Sequence, residues 1–301
     1  MADVKTIGGQ AIIEGVMMRA PGMLSMAVRT QAGDIVVKKQ PILLDRIKAF
    51  KLPFLRGLVG LYDALVLGIG ALNFSAEQSG TEDEKMSKLE TIVSIVVGLG
   101  LGALLFIFLP LWLTEFLKNY WQSLDNSFFL FNAVDGILRV LFFVLYLFII
   151  TRFKDIQRVF EYHGAEHKSI FAYEDGLELN IENARKMSRF HPRCGTSFLL
   201  IVMLVAIVLF SLVPKDSSFV IKLGARVVLL PVIAGIAYEV LKLSGRHSKN
   251  AFVAILIAPG LWLQRLTTRE PDDSQLEVAI VSIKTALAED EVELDGVRCI
   301  D

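Results

Sequence analysis

The sequence predicts a mainly α-helical polytopic membrane protein, with about four transmembrane helices, a re-entrant or interfacial helix and a small N-terminal cytosolic β module. Three observations predict this class. Hydrophobic residue types make up 53% of the 301 residues and the mean hydropathy is +0.53, which is more apolar than an ordinary soluble domain. Several apolar runs have the length of a membrane crossing. Lysine and arginine are concentrated in alternate loops.

Crossing a hydrocarbon core about 30 Å thick takes roughly 20 apolar residues in a helix. Four segments are predicted to cross: 91–112, 137–150, 196–213 and 223–241. Asp135 and Arg139 lie four residues apart at the entry to the second and can pair on one helical face. The apolar stretch 251–263 is short and interrupted by proline and glycine, so it is predicted to be re-entrant or interfacial. The stretch 57–76 carries Asp63 and could lie flat in the headgroup region.

The distribution of lysine and arginine predicts the orientation in the cell membrane. Segment 152–193 holds eight of these residues and segment 242–249 holds three, against one in 118–127 and two in 214–222. The richer loops face the cytosol. With four crossings, both termini are then cytosolic, together with the long segment 152–193. The two cysteines would lie where thiols stay reduced, so no disulfide is expected.

The pattern along the chain divides it into four regions. Within the first, the turn residues Gln31 to Asp34 separate "MLSMAVRT" from "IVVKK", two runs rich in β-formers, which predicts a hairpin. The regions are a small cytosolic β module at 1–45, an amphipathic or interfacial helix with a charged linker at 46–90, a transmembrane domain at 91–270 that includes the cytosolic loop 152–195, and a cytosolic helix or tail at 271–301.

A cluster of scarce ligand residues occupies the segment "YHGAEHKS" at 162–169. On a helix, His163 and His167 share a face one turn apart, so their imidazoles can hold one metal ion. Glu166 directly precedes the second histidine. His-x-x-Glu-His is the zincin motif in reverse order, in which the glutamate acts as general base and does not bind the metal. The motif predicts one divalent transition metal per chain, most simply zinc.

Three other residues are candidates to complete the metal site. His191 and Cys194 follow the motif at the spacing H-x-x-C, and Glu239 lies at the predicted cytosolic end of the fourth span. In the reversed zincin pattern, an acidic ligand comes from a later helix, which favours Glu239. Two plainer interpretations also fit the sequence. The histidines could hydrogen-bond headgroups, and the segment from His191 to Cys194 could be an ordinary entry into a helix.

Four sequence blocks resemble those of the DUF1385 family. They are "IGGQAIIEGVMMRAP", "YHGAEHKSIFAYE", "SRFHPRCGTSFL" and "PGLWLQRLTTREPDDSQLEVAI", and "AGIAYEVLKLSGR" also looks like a family block. The resemblance implies a bacterial membrane protein of a kind often labelled a metal-dependent enzyme. It carries over the residues of the quoted blocks, which add Glu14 and Arg19 as pocket candidates to the residues of the histidine cluster.

Two classes of function are compatible with the sequence. The first is a membrane-embedded metal-dependent hydrolase that acts on a lipid or a membrane-proximal peptide. The second is a non-catalytic membrane factor, for example in protein insertion, translocon function or assembly, that contains a structural zinc site. The bilayer is a partner in both classes, and a membrane-protein partner or a homo-oligomer is possible. The net charge of −1 gives no basic field that would favour nucleic acid.

Overall fold

The computed structural model describes residues 6–42, 55–80, 87–214, 216–246, 251–288 and 297–300. The protein is mainly helical, with a small sheet formed largely by its N-terminal segment. Within the region 46–90, for which an amphipathic or interfacial helix and a charged linker are predicted, residues 46–54 and 81–86 lie outside the described residues.

The N-terminal segment forms an antiparallel meander. Its strands are β1 (Gly8–Ile12), β2 (Gly15–Ala20), β3 (Met23–Arg29) and β4 (Ile35–Pro41). The predicted hairpin is confirmed, because β3 pairs antiparallel with β4 and Arg29 faces Ile35 across the turn. Strands β1 and β2 are joined by a turn at Glu14, which has a positive φ of 50°. A fifth strand from the chain's other end, β5 (Val297–Ile300), pairs parallel with β4.

The helices follow in chain order: α1 (Leu55–Ser79), α2 (Lys88–Ala103), a π-helical turn (Leu104–Phe108), α3 (Leu109–Lys118), α4 (Gln122–Asn126), α5 (Phe128–Ile150), α6 (Lys154–Glu174), α7 (Ile181–Lys186), α8 (Gly195–Phe210), α9 (Phe219–Arg246), α10 (Ala251–Thr267) and α11 (Asp273–Leu287). The π turn comes just before Pro110, which lacks a backbone N–H and so disturbs the regular hydrogen-bond ladder.

Both faces of the sheet are covered by helices. Successive strand residues point to opposite sides, so the apolar strands supply residues to a core on each face. Val16 and Met18 of β2 pack on one side with Tyr162 of α6 and with α11. Met17, between them in sequence, belongs to the core on the other side, which α1 covers through Ala71. The C-terminal helix and strand are therefore part of the N-terminal module, an association that the sequence analysis did not predict.

Within the part of the chain that the structure describes, three helical segments are long and apolar enough to cross a membrane: Leu89–Lys118, Phe128–Ile150 and Phe219–Leu243. They correspond to the first, second and fourth predicted spans. The third predicted span corresponds to α8, which has 16 residues. The helix α8 packs against α5, α9 and α10, and α1 packs against both α9 and the sheet. Helix α1 therefore connects the membrane helices to the sheet module.

Candidate metal centre

Helix α6 presents the two motif histidines side by side. The ring centroids of His163 and His167 lie 4.4 Å apart, as expected for residues four apart on a helix. The buried residues of α6 run continuously from Gly164 to Ile170, because the sheet covers one side of this stretch and α7, α11 and the segment before α11 cover others. His167 is therefore held in the protein interior, and His163 is half-buried.

Cys194 completes a group of three ligand atoms. Its sulfur lies 3.2 Å from Nε2 of His163, and one ligand atom from each of His163, His167 and Cys194 lies within 4.8 Å of the others. With Zn–N near 2.1 Å and Zn–S near 2.3 Å in tetrahedral geometry, nitrogen and sulfur ligands lie about 3.5 Å apart. The spacing and chemistry of this group fit a zinc ion.

Backbone carbonyls fix the orientation of both histidines. Nδ1 of His163 lies 2.7 Å from the carbonyl oxygen of Thr267, and Nδ1 of His167 lies 2.5 Å from that of Arg189. A carbonyl oxygen only accepts, so each Nδ1 must carry the proton and donate it. Each Nε2 is then the unprotonated nitrogen that can bind a metal, and the carbonyls supply the supporting hydrogen bonds typical of metal-bound histidine.

Glycine allows the segment after α10 to approach α6 closely enough for these bonds. A Cβ on Gly164 would collide with the carbonyl oxygen of Arg269. The Arg269 N–H donates to the carbonyl of Phe160 at 2.8 Å. The segment that follows Thr267 is therefore docked directly on the backbone of α6, which places the Thr267 carbonyl beside His163.

His191 has the opposite tautomer. Its Nδ1 accepts from the Arg193 N–H at 3.2 Å, so its Nε2 carries the proton and faces a carboxylate oxygen of Glu174 at 3.3 Å. Both ring nitrogens are therefore engaged. Gln264 also holds this residue, because its side-chain amide exchanges two hydrogen bonds of 2.8 Å with the His191 backbone. The geometry makes His191 part of the support that positions the loop of Cys194.

Glu166 lies beside the ligand group and borders a cavity of about 270 Å³. His167, His191 and Arg193 also line this cavity, whose walls are mostly apolar and include Tyr238. The cavity lies between the sheet, α1, α6, α8 and α9. At Gly9 of β1, a Cβ would lie 2.9 Å from a carboxylate oxygen of Glu166, so this glycine leaves room for the glutamate.

Burial changes the proton affinities in the site. It lowers the pKa of His167 and lowers the pKa of His191 to about 4, so both imidazoles are neutral at neutral pH. Neutral imidazole is the form that binds metal. Burial raises the pKa of Glu166, and the neighbouring His163 and His191 partly oppose that shift. A carboxyl whose pKa is shifted toward neutrality is suited to accept and return a proton.

The structure places the remaining candidates outside the ligand group. Glu239 lies on α9 directly after Tyr238, but among the described residues it is not one of the grouped ligands. Glu14 pairs with Arg158 and accepts a hydrogen bond from the Tyr162 hydroxyl at 3.2 Å. It therefore ties the β1–β2 turn to α6. Arg19 lies on β2, opposite Gly8.

Sequence reasoning missed several supporting groups. Glu174 and Gln264 hold the His191 segment, and the Thr267 and Arg189 carbonyls orient the ligands. Backbone carbonyls leave no residue-type signal in a sequence. The sequence contains one weak signal for Gln264, because it is a glutamine in a mostly apolar stretch. Its side chain is fully buried, and a buried amide requires hydrogen-bond partners.

The fold and the site together define a mainly helical protein with membrane-spanning-length helices, a sheet module and a buried His–His–Cys group. Residues 52–289 match the family described as "Protein of unknown function (DUF1385)", and the chain belongs to this family. It is 36% identical over 301 residues to "Uncharacterized protein YqhQ" of Bacillus subtilis (strain 168), across 93% of this chain and 92% of that protein. No solved structure matches.

Proposed function

We propose that the protein is a membrane-embedded zinc-dependent hydrolase with a site that faces the cytosol, acting on a lipid or a membrane-proximal peptide. The observation that carries this proposal is the position of Glu166 on the wall of a cavity that also reaches the ligand histidine His167. Among the described residues the ligand group has three members. Three protein ligands with one open position are typical of catalytic zinc, whereas structural zinc has four.

In this mechanism His163, His167 and Cys194 hold the metal. When bound, zinc supplies Lewis-acid polarisation of the substrate and of water. Glu166 takes a proton from the attacking water at its carboxylate and then gives that proton to the leaving group, so the two steps balance. The apolar cavity wall, which includes Phe198, receives the apolar part of the substrate and excludes bulk water.

The orientation and the number of crossings are part of the proposal. We propose that α8 is a fourth crossing, which returns both termini to the cytosol in agreement with the lysine and arginine bias. Cysteine labelling tests this in a Cys299→Ser background, because Cys299 is exposed whereas Cys194 is buried. External reagent should label Tyr120→Cys, at a position that is 77% exposed, and should label Glu178→Cys only after permeabilisation. External labelling of Glu178→Cys would refute the orientation.

The alternative is a non-catalytic membrane factor in which the metal is a structural clip. One observation favours it: the group joins α6 to the start of α8 through the buried Cys194.

A partner in the membrane is compatible with the first span, since none of the residues in its most apolar window is buried. On that span, Gly98 and Gly102 have the spacing of helix-packing glycines, and a Cβ at either would meet no atom of the described chain.

Cobalt substitution distinguishes the two functions. The cobalt protein should show a sulfur-to-metal charge-transfer band that is lost in Cys194→Ser. An open coordination position is expected to bind an added hydroxamate, which would change the visible d–d bands. If the hydroxamate leaves the spectrum unchanged while the charge-transfer band persists, the site is closed and the hydrolase proposal fails.

Glu166→Gln gives a second test in cells. The variant retains shape and removes the base, so it should bind zinc normally and fail to complement a deletion strain, because loss of a general base slows a reaction by about 10²–10⁴. His167→Ala is the comparison variant that loses zinc as well. A Glu166→Gln protein that retains zinc and full complementation would support the structural clip.

A further inference from the structure

A second polar cluster is buried among the membrane helices. Asp135 of α5 pairs with Arg139 at 2.9 Å and with Arg226 of α9 at 2.8 Å. All three residues are at most 3% exposed. Both guanidinium groups also lie over the ring of Phe210, the last residue of α8, with Cζ 4.7 and 5.2 Å from its centroid. The cluster thus joins three helices.

The charges of this cluster do not balance. Arginine stays protonated in proteins, so two arginines against one aspartate leave one positive charge in excess. The Nε and Nη1 atoms of Arg139 and Arg226 have no hydrogen-bond partner among the described residues. A buried charge without a partner in a membrane segment is strongly unfavourable and marks a functional site. The cluster therefore lacks an anion.

The neighbouring residues show where an anion would enter. Lys222 and Arg226 line a small cavity with Phe210, and the half-buried Asn132 and Val213 form its rim. Lys222 also pairs with Glu115 of α3. The cavity has a volume of about 10 Å³, which is room for about one water-sized atom group. A ligand would therefore place a single oxygen in it and keep the rest of its volume outside.

The cluster lies at one end of the helix bundle. Helix α3 ends and α9 begins there, and Lys222 and Arg226 are three and seven residues into α9. At 1.5 Å per residue, they lie about 4 and 10 Å below the start of that helix. This is the depth at which long basic side chains reach toward the phosphate layer of a bilayer.

We propose that Arg226 and Lys222, with Arg139 behind them, bind a phosphate group that carries one net negative charge. Guanidinium recognises phosphate through charge-assisted hydrogen bonds, and the excess of positive charge in the cluster matches an anionic headgroup. The source is either an anionic phospholipid or free inorganic phosphate, and the small cavity at the bilayer surface favours the lipid.

Thermal unfolding of the full chain in neutral detergent tests this site. The additions are phosphatidylglycerol, phosphatidylcholine as the zwitterionic match, or inorganic phosphate alone. Phosphatidylglycerol should raise the unfolding midpoint of the natural protein, with about tenfold weaker apparent affinity in Arg226→Gln. Arg152→Gln is the matched control, because Arg152 is exposed at the other end of α5 and also lies over a phenylalanine ring. It should respond like the natural protein.

The outcomes separate the two sources. Stabilisation by inorganic phosphate with the same dependence on Arg226 would assign the site to the free anion. An equal response of Arg226→Gln and Arg152→Gln to both additions would overturn the proposal. If Arg226→Gln does not fold, Lys222→Gln takes its place in the same measurements, since it leaves the Asp135 pairs intact. An unweakened response in Lys222→Gln would then overturn the proposal.

Discussion

Two buried polar clusters in the described part of this protein differ in how completely their atoms are partnered. At the His–His–Cys group, both ligand histidines donate to backbone carbonyls at 2.5 to 2.7 Å, and the neighbouring His191 uses both ring nitrogens. At the arginine cluster, four guanidinium nitrogens and one oxygen of Asp135 have no partner among the described residues. One site is organised in advance, whereas the other lacks a counter-charge.

The difference shows how each cluster is stabilised. The backbone orients the side chains of the histidine group, so the group can persist without a ligand, and the metal adds to stability. The arginine cluster depends on a single carboxylate, because both arginines form their ion pairs with Asp135 in the described part of the chain. Removing Asp135 should therefore lower the stability of the protein more than removing the metal from the histidine group.

The largest effect is expected from Asp135→Asn. This change leaves two buried arginines without their counter-charge, and breaking a buried ion pair in this way costs about 3–5 kcal/mol. Denaturant-induced unfolding in detergent measures the loss. Glu182→Gln is the control, because Glu182 and Lys186 form an exposed pair with the same spacing, and no measurable change is expected there. If Asp135→Asn lowers the free energy of unfolding by less than about 3 kcal/mol, another group already neutralises the charge of the two arginines.

Metal removal should have the next largest effect. A ligand that binds only the folded state adds about 3–4 kcal/mol when its free concentration is 100 to 1,000 times its Kd. Chelation should therefore lower the unfolding midpoint of the natural protein and of Glu166→Gln equally. His167→Ala, which lacks a ligand, should show no response to the chelator. If chelation leaves the unfolding midpoint of the natural protein unchanged, zinc does not stabilise the folded state and the prediction is wrong.

A smaller effect is predicted for pH, through His191. Burial holds the pKa of His191 at about 4, against an ordinary value of 6.5. Between these values the unfolded chain binds a proton and the folded chain does not. The contribution of His191 to the free energy of unfolding should therefore be fully present above about pH 6.5 and be lost, by at most about 3 kcal/mol, as the pH decreases to about 4. The comparison of metal-free natural protein with His191→Gln isolates this residue, and parallel pH curves would contradict the prediction.

The smallest effect is expected from Arg226→Gln in neutral detergent without added anion. This change removes the excess charge and leaves Asp135 paired with Arg139, so stability should change by less than about 1 kcal/mol in either direction. The unfolding midpoints of this variant and of Asp135→Asn are compared, to test whether loss of the carboxylate costs more than loss of one arginine. Equal losses in the two variants would show that both arginines are needed to hold the aspartate.

Local patterns predicted much of this structure. The hairpin at β3 and β4, the three long apolar helices and the pair of Asp135 and Arg139 all depend on residues close in sequence. The shared helical face of His163 and His167 follows from the helix period alone. These features require no knowledge of how distant segments pack.

Features that depend on distant segments could not be predicted. The pairing of β4 with β5 joins segments more than 250 residues apart, and no local pattern specifies it. The same holds for Arg226, which reaches Asp135 from a different helix. Among the candidates to complete the metal group, Cys194 is the one placed beside His163, because Gln264 holds the preceding loop against α10. The reversed zincin pattern had instead favoured Glu239.

Zinc content across a set of variants tests the central claim most directly. Protein purified without chelator should contain about one zinc per chain by elemental analysis. The account predicts that His163→Ala, His167→Ala and Cys194→Ser each lose most of it. His191→Gln and Glu239→Gln are the controls and should retain it. Unchanged zinc in both histidine variants, or loss in Glu239→Gln with retention in Cys194→Ser, would contradict the ligand group described above.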